Sequence, residues 1–135
     1  MALISWNQDL SVQVAQFDNQ HKELVGLVND LHDAMASGKG NTVLGKTLAK
    51  LIDYTKTHFA AEEKLMKQHS YPGYLSHKME HDTLTRKALE IRTTFDSGKM
   101  VMSVELMNFL KDWLTKHIKG VDKKYGPFFL SKGIS

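Results

Sequence analysis

The 135-residue chain is predicted to be all-α, an antiparallel up-down-up-down four-helix bundle with an N-terminal arm. Three observations favour this fold. Apolar residues recur in steps of three and four along four blocks, which places them on one face of each helix. The blocks are joined by short breaks, so consecutive helices must run antiparallel. The sequence contains only two prolines, Pro72 and Pro127. This suits long helices, because proline interrupts a helix when it lies in the interior.

The first two blocks predict two long helices. The first block spans residues 17–35 and ends at the Ser- and Gly-rich break 37–41. Asp18 is predicted to be its N-cap, because an aspartate there accepts hydrogen bonds from free backbone N–H groups. The second block spans residues 44–65. It is followed by Pro72, which suits the first position of the next helix.

The remaining blocks predict two further helices. The third block spans residues 74–95 and ends at the break 97–99, and the fourth spans residues 106–121. The whole chain, residues 1–135, is predicted to be one domain. Residues 1–16 precede the helical pattern and form the arm. Its apolar residues are expected to lie against the bundle: Ile4, Trp6, Leu10, Val12 and Val14.

Composition excludes several functional classes. The chain has no cysteine, which excludes disulfides, iron–sulfur clusters, thiolate zinc sites and a cysteine nucleophile. The formal charge of +3 is small and the basic residues are scattered among acidic ones, so a nucleic-acid partner is not expected. Neither a secretory signal nor an apolar run of about 20 residues is found, and no membrane span is expected. These absences favour a cytoplasmic protein.

Six polar residues occupy positions of the four seams where a bundle needs apolar side chains. Burying one polar group without a partner costs a few kcal/mol. A network of imidazoles without metal would need a partner for each ring, which these helices do not readily supply. The six residues therefore predict a metal site in the bundle core: His21, His58, Glu62, His77, His81 and His117.

Spacing along the helices supports this interpretation. Glu62 lies four positions after His58, and His81 lies four positions after His77. At about 100° per residue, each pair lies only about 40° apart around its helix. Both members of a pair can therefore face the same metal or two neighbouring ones.

Asp122 is a further candidate ligand on the fourth block. It follows His117 by five residues, which is about 140° around a regular helix. Gly120 lies between the two, so the helix is expected to unwind or bulge there and turn Asp122 inward.

The donor set limits the metal. Nitrogen and oxygen donors without sulfur suit iron, manganese, zinc, copper or nickel. Five imidazoles and two carboxylates exceed the needs of one ion but suit two ions that share both carboxylates. If His77, His81 and His117 hold one ion, the bridges and a shared hydroxide bring it to six ligands. An ion held by His21 and His58 then has five ligands and an open position, where a small gas could bind.

These residues make the chain resemble the hemerythrin-like family, in particular its bacterial single-domain type. The order and spacing of the family ligands match across all four helices, and the resemblance covers essentially the whole chain. The arm with Trp6 is typical of the bacterial members. The resemblance implies the metal ligands His21, His58, Glu62, His77, His81, His117 and Asp122. It also implies an apolar dioxygen pocket of Leu24, Phe59, Trp113, Leu114 and Ile118.

The resemblance implies a function as well. The expected cofactor is a pair of iron ions with an oxo or hydroxo bridge. The expected partner is dioxygen, bound reversibly and end-on as hydroperoxide at the iron held by His21 and His58. The chain would then act as an oxygen carrier, store or buffer rather than as an enzyme, with a recipient or signalling protein that the sequence does not identify.

Two other classes of function remain open from the sequence. The first is an oxygen or redox sensor, and the second is a di-iron enzyme that processes peroxide or nitric oxide. Iron storage is a weaker alternative, because the ligand set holds only two ions.

The other polar residues near the pattern are given ordinary roles. His32 and His69 are predicted to be surface histidines, and Glu63 to be solvated. The tyrosines are candidates for hydrogen bonds to the ligand histidines, without a preference among them: Tyr54, Tyr71, Tyr74 and Tyr125.

Overall fold

The computed structural model describes residues 3–38, 41–98 and 104–135, and every regular element in these ranges is helical. Four long helices form a bundle, which confirms the predicted fold class. Residues 1–2 of the arm, and residues 39–40 and 99 of the predicted breaks, lie outside the described ranges. The helices are α1 (Ala15–Ala36), α2 (Asn41–Gln68), α3 (Tyr74–Asp96), α4 (Val104–Gly120) and a short α5 (Gly126–Ser131).

Short connections determine the topology. Helix α1 packs against α2 and α4, and α2 packs against α3. Helices α1 and α3 both end at a Ser-Gly pair, where Gly38 and Gly98 have φ values of 69° and 77°. This left-handed conformation is readily available to glycine, which explains why the helices end there. The long helices thus run up, down, up and down around one apolar core.

The predicted role of Asp18 is wrong. Helix α1 begins at Ala15, and its N-cap Val14 makes no side-chain capping hydrogen bond. Asp18 lies in the first turn instead. Its carboxylate accepts hydrogen bonds from Ser11 Oγ at 2.6 Å and from the Val12 backbone N–H at 2.7 Å. The carboxylate therefore binds the arm to α1, and two residues assigned to the arm belong to the helix.

The predicted role of Pro72 needs a smaller correction. Helix α2 ends at Gln68 and α3 begins at Tyr74, so Pro72 precedes the helix rather than occupying its first position. The turn is closed by the backbone N–H of Tyr71, which donates to the carbonyl of Met66 at 2.9 Å. Ser70 has a φ of 55° in this turn, and the chain reverses within five residues.

The C-terminal segment contains helical structure that the sequence pattern did not predict. Helix α4 ends at Gly120, and a 3₁₀ helix follows over Asp122–Tyr125. Helix α5 begins directly afterwards, with Pro127 in its first turn. Asp122, Tyr125 and Phe129 are fully buried, so the segment belongs to the core of the bundle.

The arm packs tightly against the bundle. The side chain of Asn29 accepts from the backbone N–H of Ile4 at 2.9 Å and donates to its carbonyl at 2.8 Å. A Cβ on Gly126 would lie 2.6 Å from the carbonyl oxygen of Val12, so this close approach needs glycine. Trp6 is half-buried. The buried apolar residues of the arm are Ile4, Leu10, Val12 and Val14.

No helix among the described residues is both long and apolar enough to cross a membrane.

Replacing Asp18 with alanine should release the arm from α1. Two hydrogen bonds to one carboxylate are lost, so the free energy of unfolding should fall by about 1–3 kcal/mol. Urea denaturation measures the change. The matched control is Asp30→Ala, at an exposed position of the same helix. Equal stability of the two variants would contradict the role assigned to Asp18.

Candidate metal centre

The structure brings all seven predicted ligands together at the centre of the bundle. Helices α1 and α4 contribute one histidine each, α2 contributes a histidine and a glutamate, and α3 contributes two histidines. The aspartate comes from the 3₁₀ helix that follows α4. No side chain of the group is more than 4% exposed: His21, His58, Glu62, His77, His81, His117 and Asp122.

Asp122 reaches the centre because the last helix stops in front of it. Helix α4 ends at Gly120, and Val121, with φ −116° and ψ −54°, separates it from the 3₁₀ helix that follows. The 3₁₀ turn then directs the carboxylate inward, so that Asp122 Oδ1 lies 3.0 Å from His117 Nε2. The interruption expected at Gly120 is therefore present in the structure.

Glu62 divides its two oxygens between two groups of histidines. Its Oε1 lies 3.1 Å from His81 Nε2 and 3.7 Å from His77 Nε2. Its Oε2 lies 3.4 Å from His58 Nε2 and 3.5 Å from His21 Nε2. One carboxylate thus faces α3 with one oxygen and α1 and α2 with the other.

Asp122 divides its oxygens in the same way. Its Oδ1 lies 2.9 Å from His77 Nε2 and 3.0 Å from His117 Nε2. Its Oδ2 lies 3.0 Å from His21 Nε2. The donor atoms therefore fall into two clusters that have both carboxylates in common. One is Glu62, His77, His81, His117 and Asp122, and the other is His21, His58, Glu62 and Asp122.

Most of the donor atoms at the centre are buried without a well-aligned hydrogen bond. Within the described ranges, this holds for the Nε2 atoms of all five histidines and for both oxygens of Asp122, although some of these atoms lie only 2.9–3.0 Å from one another. Orphaned buried polar atoms are rare in native proteins because each costs free energy. Donor atoms within 4.8 Å of one another, without sulfur, suit cations of the kind that imidazole and carboxylate bind together. The residues therefore fit a metal site.

Two histidines have their outer nitrogens fixed by neighbouring side chains. His81 Nδ1 lies 2.8 Å from Glu63 Oε2, and His58 Nδ1 lies 2.5 Å from Gln20 Oε1. Because both oxygens are acceptors, each ring carries its proton on Nδ1 and presents the Nε2 lone pair to the centre. The prediction that Glu63 is merely solvated is wrong, since its side chain is only 20% exposed and supports a histidine of the centre.

Tyr125 supports the glutamate. Of the candidate tyrosines, it is the one that the described ranges show bonded to the centre, donating its hydroxyl proton to Glu62 Oε2. Burial raises the pKa of Tyr125 well above its usual value, and the nearby carboxylates raise it further. The phenol therefore stays neutral and remains a donor. Its ring also stacks on His77, at a centroid distance of 5.6 Å.

The two buried carboxylates give the centre a negative charge that protons or metal ions must balance. Burial opposes ionisation of Glu62 and Asp122, yet the surrounding histidines hold the pKa of each carboxyl below its usual range. Burial likewise opposes protonation of His21 and His77, but the two carboxylates raise the pKa of each imidazole to about 9. Without metal, protons on these rings balance the carboxylates.

A small cavity adjoins one side of the centre. Its volume is about 10 Å³, which is room for one water-sized molecule. His21 and His58 line it, together with Asp122 and His117. Leu84 lines it as well, and the sequence reasoning had not included this residue. All five predicted pocket residues complete the wall: Leu24, Phe59, Trp113, Leu114 and Ile118.

The two remaining histidines lie outside the metal clusters. The side chain of His32 is 27% exposed and lies 3.8 Å from a carboxylate oxygen of Asp33. His69 is half-buried and packs edge-on against Phe129. Both were predicted to be surface histidines, and both are partly exposed in the structure.

Comparison with known proteins agrees with the geometry. The family model described as the hemerythrin HHE cation binding domain matches residues 12–129. The chain is similar to a bacteriohemerythrin of Methylococcus capsulatus, with 38% identity over 94% of this chain and 97% of the relative. It is also similar to a hemerythrin-like protein of Naegleria gruberi, with 34% identity over 90% of this chain and 89% of the relative.

A solved structure shares the fold. The crystal structure of a wild-type hemerythrin matches with a TM-score of 0.88 and 38% identity, covering 93% of this chain and 97% of the other. The family model spans well over half of the chain, and the relatives match over nearly their full length. The chain therefore belongs to the hemerythrin family.

Proposed function

We propose that the seven residues of the centre hold two iron ions joined by a bridging oxygen, and that the protein binds dioxygen reversibly. One observation carries the proposal. Each of the two carboxylates faces one histidine cluster with one oxygen and the other cluster with its second oxygen. In this arrangement Glu62 and Asp122 could each provide oxygen ligands to both of two cations.

The two clusters differ in the number of histidine donors that they contain. Three imidazoles serve one position, from His77, His81 and His117, and two serve the other, from His21 and His58. The cavity adjoins both residues of the two-histidine position. A small molecule in the cavity therefore lies beside the position with fewer protein donors, where a ligand is needed to complete the coordination.

The apolar walls of the cavity favour reversible binding of dioxygen over its chemical conversion. When bound, a pair of ferrous ions supplies the electrons that dioxygen binding needs. Apart from residues of the centre, the described lining is apolar, and Trp113 directs its N–H to the carbonyl of Leu84 at 3.4 Å. Such a wall excludes water and offers no acidic side chain to protonate bound dioxygen. This supports a carrier, store or buffer rather than an enzyme.

The direct test is a visible absorption spectrum of the anaerobically reduced, iron-loaded protein. The proposal predicts a charge-transfer band that appears with dioxygen and disappears on purging with argon, with two irons counted per chain. A band that bleaches irreversibly, with consumption of a reductant, would support a di-iron enzyme or redox sensor instead.

Replacing His58 with alanine should remove one of the two donors of the two-histidine position. We expect dioxygen binding to be lost and the iron content to fall from about two ions to about one per chain, because the three-histidine cluster is untouched. Metal analysis and gas titration measure both. The matched control is His32→Ala, outside the clusters, and it should behave like the parent. Unchanged binding in the His58 variant would contradict the ligand assignment.

Replacing Leu114 with alanine should open the cavity without removing a ligand. Both irons should remain, and water admitted to the cavity should accelerate autoxidation by roughly tenfold or more, since dry surroundings protect such a centre. Decay of the dioxygen-bound spectrum measures the rate. Leu48→Ala is the control, because Leu48 is equally buried but does not line the cavity. Equal rates in the two variants would refute the protective role of the wall.

Metal uptake should release protons. The pKa of both His21 and His77 is about 9 in the metal-free protein, so both rings are charged at pH 7 and must lose a proton to bind metal. These two rings should contribute about two protons per chain at pH 7 and far fewer at pH 10, where they are already neutral. The protons that water loses in forming the bridging oxygen add to the release at both pH values. Metal affinity should accordingly rise with pH up to about 9. Titration in weakly buffered solution measures the release, and equal release at pH 7 and pH 10 would contradict the protonation of the two rings.

A further inference from the structure

The two metal positions differ in the side chain that accepts a hydrogen bond from the Nδ1–H of one of their histidines. His81, of the three-histidine cluster, donates from Nδ1 to the carboxylate of Glu63 at 2.8 Å. His58, of the two-histidine cluster, donates from Nδ1 to the neutral amide oxygen of Gln20 at 2.5 Å. A formal negative charge therefore lies behind one position, and an uncharged dipole lies behind the other.

The charge of Glu63 acts at short range in a poorly solvated place. His81 is 1% exposed and the Glu63 side chain is 20% exposed, so water screens the interaction only in part. A carboxylate behind a ligand imidazole fixes its ring orientation and makes its Nε2 a stronger electron donor. An amide fixes the orientation in the same way but contributes less electron density, because it carries no net charge.

A lysine lies at the outer end of this connection. Lys78 Nζ is 3.7 Å from Glu63 Oε1 and 3.1 Å from Asp82 Oδ1. The Lys78 side chain is 41% exposed, so solvent screens its attraction for Glu63 more strongly than it screens the contact between Glu63 and His81. Lys78 therefore offsets only part of the charge that His81 experiences.

We propose that Glu63 is a positioning residue that, through His81, makes the metal pair easier to oxidise, while Gln20 holds His58 in place without adding charge beside the dioxygen cavity. The inference rests on the proposed function. Dioxygen binding draws electrons from the pair, and release returns them. A negative charge behind the three-histidine position favours the electron-poor state, and so Glu63 strengthens dioxygen binding at the neighbouring position.

The test pairs Glu63→Gln with Gln20→Glu in the iron-loaded, full-length chain. Glu63→Gln keeps an acceptor oxygen for His81 and removes the charge. Dioxygen affinity and autoxidation rate should both fall, by about tenfold, and the midpoint potential of the pair should rise. Gln20→Glu adds a charge behind His58 and should shift all three quantities in the opposite direction.

A readout without iron separates this inference from the proposed function. With zinc in the site, Glu63→Gln should weaken zinc binding by about tenfold and weaken the hydrogen bond detected by NMR at His81 Nδ1–H. In the iron-loaded protein, Lys78→Met leaves the charge of Glu63 unopposed and should lower the midpoint potential. If these zinc effects appear in a protein that does not bind dioxygen, the proposed function fails and the role of Glu63 stands.

Two results would overturn the inference. The first is that Glu63→Gln leaves potential, affinity and zinc binding unchanged while Glu63→Ala loses metal, since Glu63 would then act only through its shape and hydrogen bond. The second is that Glu63→Gln and Gln20→Glu shift the midpoint potential in the same direction, since the charge would then not be the cause.

Discussion

The burial of two carboxylates among five imidazoles is the constraint on which the rest of the structure depends. Glu62 and Asp122 are fully buried, and an isolated buried charge costs far more than a folded domain can tolerate. The compensation must come from positive charge at the same place, supplied by protons on His21 and His77 or by metal ions. Because the histidines come from all four long helices, balancing this charge also determines how the helices meet.

The segments at both ends of the chain serve the same centre. The 3₁₀ helix after α4 supplies Asp122 and also Tyr125, whose hydroxyl donates to Glu62. The arm lies against the start of α5 at Gly126 and is bound to α1 through Asp18. The arm, the C-terminal turn and the first helix therefore form one connected support behind the carboxylates. Both histidines of the two-histidine cluster line the cavity, and Asp122 links the cavity to that support.

Periodicity predicts a helix and its inward face, but it does not predict which side chains meet across helices. The four helices and the convergence of their seam histidines followed from steps of three and four residues. Glu63 was misjudged because it lies about 100° from Glu62, and its partner His81 belongs to another helix. Gln20 was not identified for the same reason, and Tyr125 could not be singled out from the four candidate tyrosines. Asp18 suited a capping position, yet tertiary contact with the arm outweighed local preference. Helix α5 is too short for a periodic signal.

Anomalous diffraction at the iron edge, from crystals of the iron-loaded protein, tests the shared carboxylates most directly. If both carboxylates are shared, two iron peaks should appear per chain, roughly 3–4 Å apart as in other two-metal sites. One peak should lie among His77, His81 and His117 and the other beside His21 and His58, with Glu62 and Asp122 between them. A single peak, or two peaks that do not share both carboxylates, would contradict the proposal.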